Sequence, residues 1–320
     1  MKKAALIIAA ILLIAGIIIG VVALASAKFD YHMFETVPSE MKDYPVEADF
    51  HRIEIHGNTE IIQFAQSSDG TAHVLCRETK RNTHTVKAED GTLKIVSEEA
   101  TRRNSFIDIS FEKELITVYL PNDAYEMLSI ETQTGDMEVP GWLTFSGAVI
   151  HASTADVRFD AAVHNLLSIE TSTGDISVNG ASAETIDCKA TTGDIRMTNV
   201  ACRGDVRAKV STGKVILEGL TAASFTSGGS TGDIVLEDVL IDGTLSVERS
   251  TGEVTFRNSD AAEIKVKTST GDVTGTLLTD KIFEVHSSTG DIRVPDSVAG
   301  GKCEITTTTG DISLRIAPKA

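Results

Sequence analysis

Apolar and polar positions alternate on both sides of a short Thr-Gly-Asp turn that recurs along most of the chain. The segment "SIETSTGDISVNG", at positions 168–180, is one copy. Alternation with a period of two residues predicts half-buried β-strands. Glycine supplies the positive φ that a tight corner requires. Each copy is therefore predicted to form two strands joined by a sharp corner.

This turn occurs ten times, at intervals of 19 or 20 residues. Threonine precedes the corner residue in every copy, and most copies have apolar residues seven and five positions before it and two and four after it. Ala155 is the corner residue of one copy. The corner residue is glycine in the other nine: Gly135, Gly174, Gly193, Gly213, Gly232, Gly252, Gly271, Gly290 and Gly310. We assign these nine glycines a structural role as the corners of a repeat architecture.

Identical columns in every copy favour stacking of equivalent strands in parallel. The sequence therefore predicts an all-β fold, a parallel β-solenoid (β-helix) of about ten rungs of 19–20 residues with two strands per rung. At a strand spacing of about 4.8 Å, ten rungs would be about 48 Å long. A β-sandwich is the alternative fold.

The chain divides into four predicted segments. Residues 1–28 contain the uncharged run "AALIIAAILLIAGIIIGVVALASA" after Lys2 and Lys3 and are predicted to be a transmembrane anchor with a short cytoplasmic start. A cleaved signal peptide is the alternative, because the run ends in Ala-Ser-Ala. Residues 29–48 are predicted to be a juxtamembrane stalk, 49–127 an irregular N-terminal β cap, and 128–320 the solenoid.

The predicted last strand, Ile312–Ile316, has no segment after it that could fold back over it. We therefore expect it to form an open edge that can pair with another strand. Arg315, Pro318 and Lys319 would limit uncontrolled stacking. Limited self-association through this edge and a monomer with a tolerated edge are both open.

The chain resembles a bacterial family of adhesin-like proteins with β-strand repeats, whose domain is of unknown function. The resemblance is carried by "HRIEIHGNTEIIQF", "DGTLKI", "ITVYLP" and the "ETSTGDI"-type repeats, and covers about residues 49–316. It implies a role at the bacterial cell envelope, in adhesion or in the response to envelope stress. It brings no catalytic residues.

Charge and candidate chemistry narrow the classes of function. The formal net charge of −17 argues against a nucleic-acid partner. The acidic corner column, which includes Asp175 and Asp233, could bind calcium, but turn carboxylates more commonly accept hydrogen bonds from backbone amides. We therefore expect no metal and no cofactor. We also expect the four cysteines to be free thiols, and Arg203-Gly204-Asp205 to be ordinary loop composition. The histidines are scattered singly and mostly in presumed outward positions.

Taken together, the sequence predicts a non-enzymatic surface protein of the cell envelope. It would be a single-pass protein of the cell membrane with the bulk of the chain outside, acting as an adhesin or interaction scaffold towards a protein or an envelope polymer. A sensor or sequestrant of cationic peptides is the alternative, drawn by the negative charge. A carbohydrate-active β-helix enzyme is the least favoured function.

Overall fold

The computed structural model describes residues 12–22, 26, 38–99 and 113–318. Residues 12–22 are helical, and most of the predicted anchor lies outside the described residues. No helix in the described part of the chain is both long enough and apolar enough to cross a membrane.

Nine strands precede or open the repeat region. They are β1 (Ser39–Val46), β2 (Arg52–His56), β3 (Ile61–Gln66), β4 (Ala72–Thr79), β5 (Asn82–Glu89), β6 (Thr92–Glu99), β7 (Leu115–Leu120), β8 (Ala124–Thr134) and β9 (Met137–Val139).

Twelve strands follow in the middle of the repeat. They are β10 (Thr144–Thr154), β11 (Val157–Phe159), β12 (Ala162–Val163), β13 (Leu166–Thr173), β14 (Ile176–Asn179), β15 (Ser182–Ala183), β16 (Thr185–Thr192), β17 (Ile195–Thr198), β18 (Ala201–Cys202), β19 (Asp205–Thr212), β20 (Val215–Glu218) and β21 (Thr221–Ala222).

Nine strands complete the described chain. They are β22 (Ser224–Thr231), β23 (Ile234–Glu237), β24 (Leu240–Thr251), β25 (Val254–Thr270), β26 (Val273–Leu277), β27 (Lys281–Thr289), β28 (Ile292–Arg293), β29 (Gly301–Thr309) and β30 (Ile312–Ile316).

Equivalent strands of successive rungs pair in parallel and in register, which confirms the β-solenoid and excludes the β-sandwich. For example, Ile169 of β13 pairs with Cys188 of β16, and Val178 of β14 pairs with Met197 of β17. The strand before each Thr-Gly-Asp corner forms the long face of the solenoid, and the strand after it forms the short face. The inward columns of both faces make one continuous apolar core.

A third, narrow face corrects the prediction of two strands per rung. Two-residue strands such as β15 and β18 pair in parallel within the return segment. A second corner leads into this face, six residues after the corner glycine. The residue at this second corner has positive φ in five rungs: Gly180, Asn199, Gly219, Asp238 and Asn258. Glycine, asparagine and aspartate are the residues that tolerate this left-handed conformation best.

The rungs at the C-terminal end do not stack in chain order. The strand ending at Thr270 pairs with β29, and β29 pairs with β27 on its other side. On the short face, β30 lies likewise between β26 and β28. The rung of Gly310 is therefore inserted between the rungs of Gly271 and Gly290.

The insertion requires two adjacent glycines. A Cβ at Gly300 would lie 1.8 Å from the carbonyl oxygen of Asp280, and one at Gly301 would lie 1.8 Å from that of Ala262.

The prediction that Ile312–Ile316 forms the open edge is wrong, because β30 has a neighbouring strand on each side. Among the described residues, β27 and β28 form the last rung.

The N-terminal region also differs from the predicted irregular cap. Strands β2 and β3 pair in parallel with β8 and β9, and β6 and β7 pair in parallel with β2 and β3. These rungs extend the solenoid into residues 49–127. The cap itself is antiparallel: β5 pairs with β6, β4 with β7, and β1 with β4. Strand β1 includes residues 39–46 of the predicted stalk.

Candidate interaction surface

The corner glycines lie where a side chain has no room. Gly232 has a φ of +131°, and a Cβ on it would lie 1.9 Å from the carbonyl oxygen of Gly213 in the preceding rung. The same contact would be 2.0 Å at Gly271 and 2.1 Å at Gly193. Both the backbone conformation and the close approach of consecutive rungs therefore call for glycine.

The aspartates after the corner glycines connect one rung to the next. Oδ1 of Asp175 accepts a hydrogen bond of 2.7 Å from the backbone N–H of Asp194, and Oδ1 of Asp194 accepts one of 2.7 Å from that of Lys214. Within the described residues, no group of three or more His, Cys, Asp or Glu residues could hold a metal ion. The contacts of this column are those of a turn residue bonding backbone amides.

The backbone at the corner adds two bonds per rung. The N–H of Gly174 donates to the carbonyl oxygen of Thr192 at 3.0 Å, and the N–H of Ile176 donates to that of Asp194 at 2.9 Å. A corner with aspartate after the glycine thus directs two N–H donors and one carboxylate oxygen towards the following rung, and the corner of Lys214 lacks the carboxylate. This set of three groups is called the corner triplet below.

The corner triplet of the last rung has no following rung among the described residues. Its members are the N–H groups of Gly290 and Ile292 and the carboxylate of Asp291. Arg293 donates to Oδ2 of this carboxylate at 2.6 Å, so Oδ1 is the oxygen that corresponds to the rung-to-rung acceptor.

The apolar columns of the last rung are also partly uncovered. The side chain of Ile292 is 43% exposed, whereas its equivalents Val273 and Ile312 in neighbouring rungs are fully buried. Phe283 and Val285 on β27 are only partly buried. Ile282 and Leu278 add exposed apolar surface beside them. The last rung, β27 and β28, therefore presents unpaired polar backbone and apolar side chains together.

A buried polar cluster lies under the N-terminal cap, and no motif in the sequence indicates it. The histidines were expected to lie mostly outward, but the ring nitrogens of His84 lie 3.3 Å from Oε1 of Glu60 and 3.3 Å from Oε1 of Glu78. Asn82 donates to Glu60 at 2.6 Å, and Tyr44 donates to Glu78. Apart from Tyr44, which is partly buried, these side chains are shielded from solvent, and the cluster ties the cap to the first rungs.

The carboxylate of Glu60 is stabilised in its charged form. Burial opposes the charge, but the His84 imidazole, the Asn82 amide and the backbone N–H of Asn58 outweigh it and lower the pKa of Glu60 to about 2. Glu60 occupies the corner position of its rung, because the backbone oxygen of Glu60 lies where a Cβ on Gly135 would be.

One inward column contains a cation. Arg249 is buried, and its guanidinium donates to the carbonyl oxygen of Val210 at 2.7 Å and to the hydroxyl of Ser227 at 3.3 Å. Burial lowers the pKa of Arg249. The neighbouring rung makes room with Gly229, on which a Cβ would lie 1.8 Å from the guanidinium. The polar residue Ser227 in an apolar column was the sequence signal for this arrangement.

The cysteines and the Arg203-Gly204-Asp205 tripeptide are the remaining candidates from the sequence, and the contacts of both lie within the fold. All four cysteines are buried free thiols, as expected, and burial raises the pKa of Cys76 to about 12. In the Arg203-Gly204-Asp205 loop, Arg203 forms a 3.1 Å ion pair with Glu184, and Asp205 accepts a 2.6 Å hydrogen bond from Ser224. Both charged side chains of the tripeptide are therefore used within the solenoid.

The fold and its uncovered rung define a β-solenoid repeat protein. The sequence matches the family described as Toastrack DUF4097 over residues 50–209 and 203–320, and the chain belongs to that family. No curated protein matches the chain.

Several solved structures are similar to the chain, among them the following three. A "putative adhesin" of Bacteroides fragilis is 14% identical with a TM-score of 0.44, and the match covers 87% of this chain and 97% of that one. A "putative adhesin" of Parabacteroides distasonis is 13% identical with a TM-score of 0.47 and coverages of 87% and 98%. A "putative lipid binding protein" of the same species is 12% identical with a TM-score of 0.43 and coverages of 87% and 97%.

Proposed function

We propose that the protein is a non-catalytic interaction module of the bacterial cell envelope, an adhesin or scaffold that binds through the last rung of its solenoid. The observation that carries this proposal is the uncovered rung, where Ile292 is 43% exposed at a column that is fully buried at Ile312. Natural sheets usually cover or blunt such edges, so an apolar one is a candidate binding surface.

The place of the protein in the cell is part of the same proposal. Residues 4–27 are uncharged and follow Lys2 and Lys3, which favours an N-terminal membrane anchor with the solenoid outside the cell. Protease added to intact, wall-stripped cells should then digest the solenoid. Recovery of the full solenoid in the culture medium, trimmed after Ala27, would instead support a cleaved signal peptide.

The binding proposal is tested with the full-length protein reconstituted in liposomes and exposed to bacterial envelope fractions. Ile292→Asp places a charge on the uncovered rung and should reduce capture at least severalfold. The matched control is Val149→Asp, because Val149 is a part-exposed apolar residue on the long face of a middle rung. Equal capture by both variants and the parent would contradict binding through the last rung.

Capture of cationic peptides is the second candidate function, and the net charge of −17 favours it. The two candidates respond differently to salt. Electrostatic capture should weaken steeply between low and physiological ionic strength, whereas binding to an apolar rung should change little. A steep loss in capture with added salt, together with no effect of Ile292→Asp, would favour the second candidate.

A further inference from the structure

The last rung ends with the same set of groups that joins most of the earlier pairs of rungs in the repeat. In the middle of the solenoid, a corner triplet is satisfied by the Thr and Asp of the following rung. We propose that β27 and β28 bind an extended segment of a second polypeptide as an added parallel rung, with glycine at its corner and a basic residue opposite Glu284. This inference rests on the proposed function and names the class of partner.

The requirement for glycine follows from the spacing of the rungs. Wherever one corner glycine stacks on another, a Cβ on the stacked glycine would lie about 2 Å from the carbonyl oxygen of the glycine beneath it. The distance is 2.2 Å for Gly310 on Gly271 and 2.1 Å for Gly290 on Gly310. A residue seated over Gly290 meets the same carbonyl geometry. A bound segment that turns the corner with the positive φ of these glycines therefore needs glycine there, whereas Ala155 and Glu60 hold the corner of two earlier rungs without a positive φ.

The charge preference follows from the outward column of the long face. Glu284 and Glu304 are neighbours in register, and Lys302 bridges them at 3.0 and 3.1 Å. An added rung would place its own residue of this column opposite Glu284, which carries the excess negative charge. A lysine or arginine at that position would pair with Glu284, and opposite charges in directly paired positions are favourable.

The size of the end favours a peptide segment over a second whole copy. Strands of eight residues at about 3.3 Å per residue and sheets about 10 Å apart give an end of roughly 260 Å². Two such ends would bury roughly 500 Å² together, well below the 1,200–2,000 Å² or so that is usual for stable protein interfaces. A single strand gains instead from backbone hydrogen bonds and side-chain insertion, as in other cases of strand addition.

The probe is a labelled synthetic peptide with the sequence of residues 263–277, "EIKVKTSTGDVTGTL". It has Ile264, Val266 and Val273 at inward columns, glycine at the corner and Lys265 in the column of Glu284. Binding to the full-length protein in detergent is measured by fluorescence polarisation. Peptides with Gly271→Val or Lys265→Glu should bind at least about tenfold and about threefold more weakly, since each loses one of the stated contacts.

Val285→Pro on the protein blocks the edge with little effect on the fold. The carbonyl oxygens of Ala208 and Val210, five and three residues before their corner glycine, face the following rung. The N–H of Val285, five residues before Gly290, therefore lies on the free side. Proline is tolerated on the solvent side of an edge strand. This variant should stay folded, with the far-ultraviolet circular dichroism of the parent, and lose peptide binding, whereas Glu138→Ala, which removes an exposed acid of a distant rung, should bind normally.

The outcomes separate the inference from the proposed function. Peptide binding that requires glycine and is lost in Val285→Pro supports the inference. Absence of binding, or binding indifferent to Val285→Pro, overturns it even if Ile292→Asp still reduces capture of envelope material. A dimer of the parent that Val285→Pro dissociates, without peptide binding, assigns the edge to a second copy and also overturns it. Peptide binding without any effect of Ile292→Asp on capture would refute the proposed function alone.

Discussion

Substitution of Gly232 tests the two physical reasons for glycine at the corner. Gly232→Ala forces a side chain into a φ of +131° and places its Cβ 1.9 Å from the carbonyl oxygen of Gly213. Backbone strain of this kind costs about 1–3 kcal/mol, and overpacking adds about 1–3 kcal/mol. We therefore expect the free energy of unfolding to fall by about 2–6 kcal/mol, the sum of these two terms.

Two control glycines separate strain from collision. Gly180 has a φ of +62° and open space around its missing side chain, so Gly180→Ala isolates the conformational term. That term is about 1–2 kcal/mol and is partly offset by the reduced freedom of the unfolded chain. Gly228 has open space as well and no positive φ, so Gly228→Ala should be neutral or slightly stabilising.

The assay is thermal and urea denaturation of the three variants and the parent, followed by far-ultraviolet circular dichroism. Each kcal/mol should lower the melting temperature by roughly 2–4 °C for a chain of this size. The expected order of stability is Gly228→Ala, then Gly180→Ala, then Gly232→Ala. Equal melting temperatures for the Gly228 and Gly232 variants would refute the reasoning about the corner.

Four other predictions follow from the described structure. Gly301→Ala should displace the inserted rung and expose β30 to amide hydrogen exchange; unchanged protection there would contradict the required close approach to Ala262. The pKa of Glu60, about 2 against an ordinary 4.5, contributes roughly 3 kcal/mol of stability above pH 4.5 that is lost as the pH falls towards 2, so Glu60→Gln should flatten the acid limb of the stability curve. Melting curves in chelator and in millimolar calcium should overlay, and a large upward shift with calcium would show a metal role for the acidic column. Thiol titration of denatured, unreduced protein should count four, and a count of two would show a disulfide.

The repeat period was enough to predict the rungs of the solenoid. Apolar columns such as Ile176 and Val178 determine which residues face inward, and the Thr-Gly-Asp corner determines where each rung bends. The third face was missed because two-residue strands are too short to show alternation. Its signal was the glycine or asparagine six residues after the corner, as at Gly180 and Asn199.

The order of the rungs could not be read from the same columns. Rungs with equivalent columns stack almost equally well on one another, so the pattern does not say which rung is the neighbour of which. The adjacent glycines Gly300 and Gly301 mark the inserted rung, but they gain this meaning only once Asp280 and Ala262 are known to flank them. The rung of Glu60 was missed because a glutamate replaces the corner glycine, although Ile55 and Ile62 keep the apolar spacing.

The inserted rung has a mechanical consequence for a protein pulled along its chain. In a solenoid stacked in chain order, tension on the final segment would peel one rung at a time from a free side. Here β29 and β30 are held by a strand on each side. Tension applied beyond Ile316 must therefore break the hydrogen-bond ladders on both sides of these strands at the same time. Such an end should unravel at higher force than a sequential one, and the rung of Gly290 cannot take its place until the later rung of Gly310 has been synthesised.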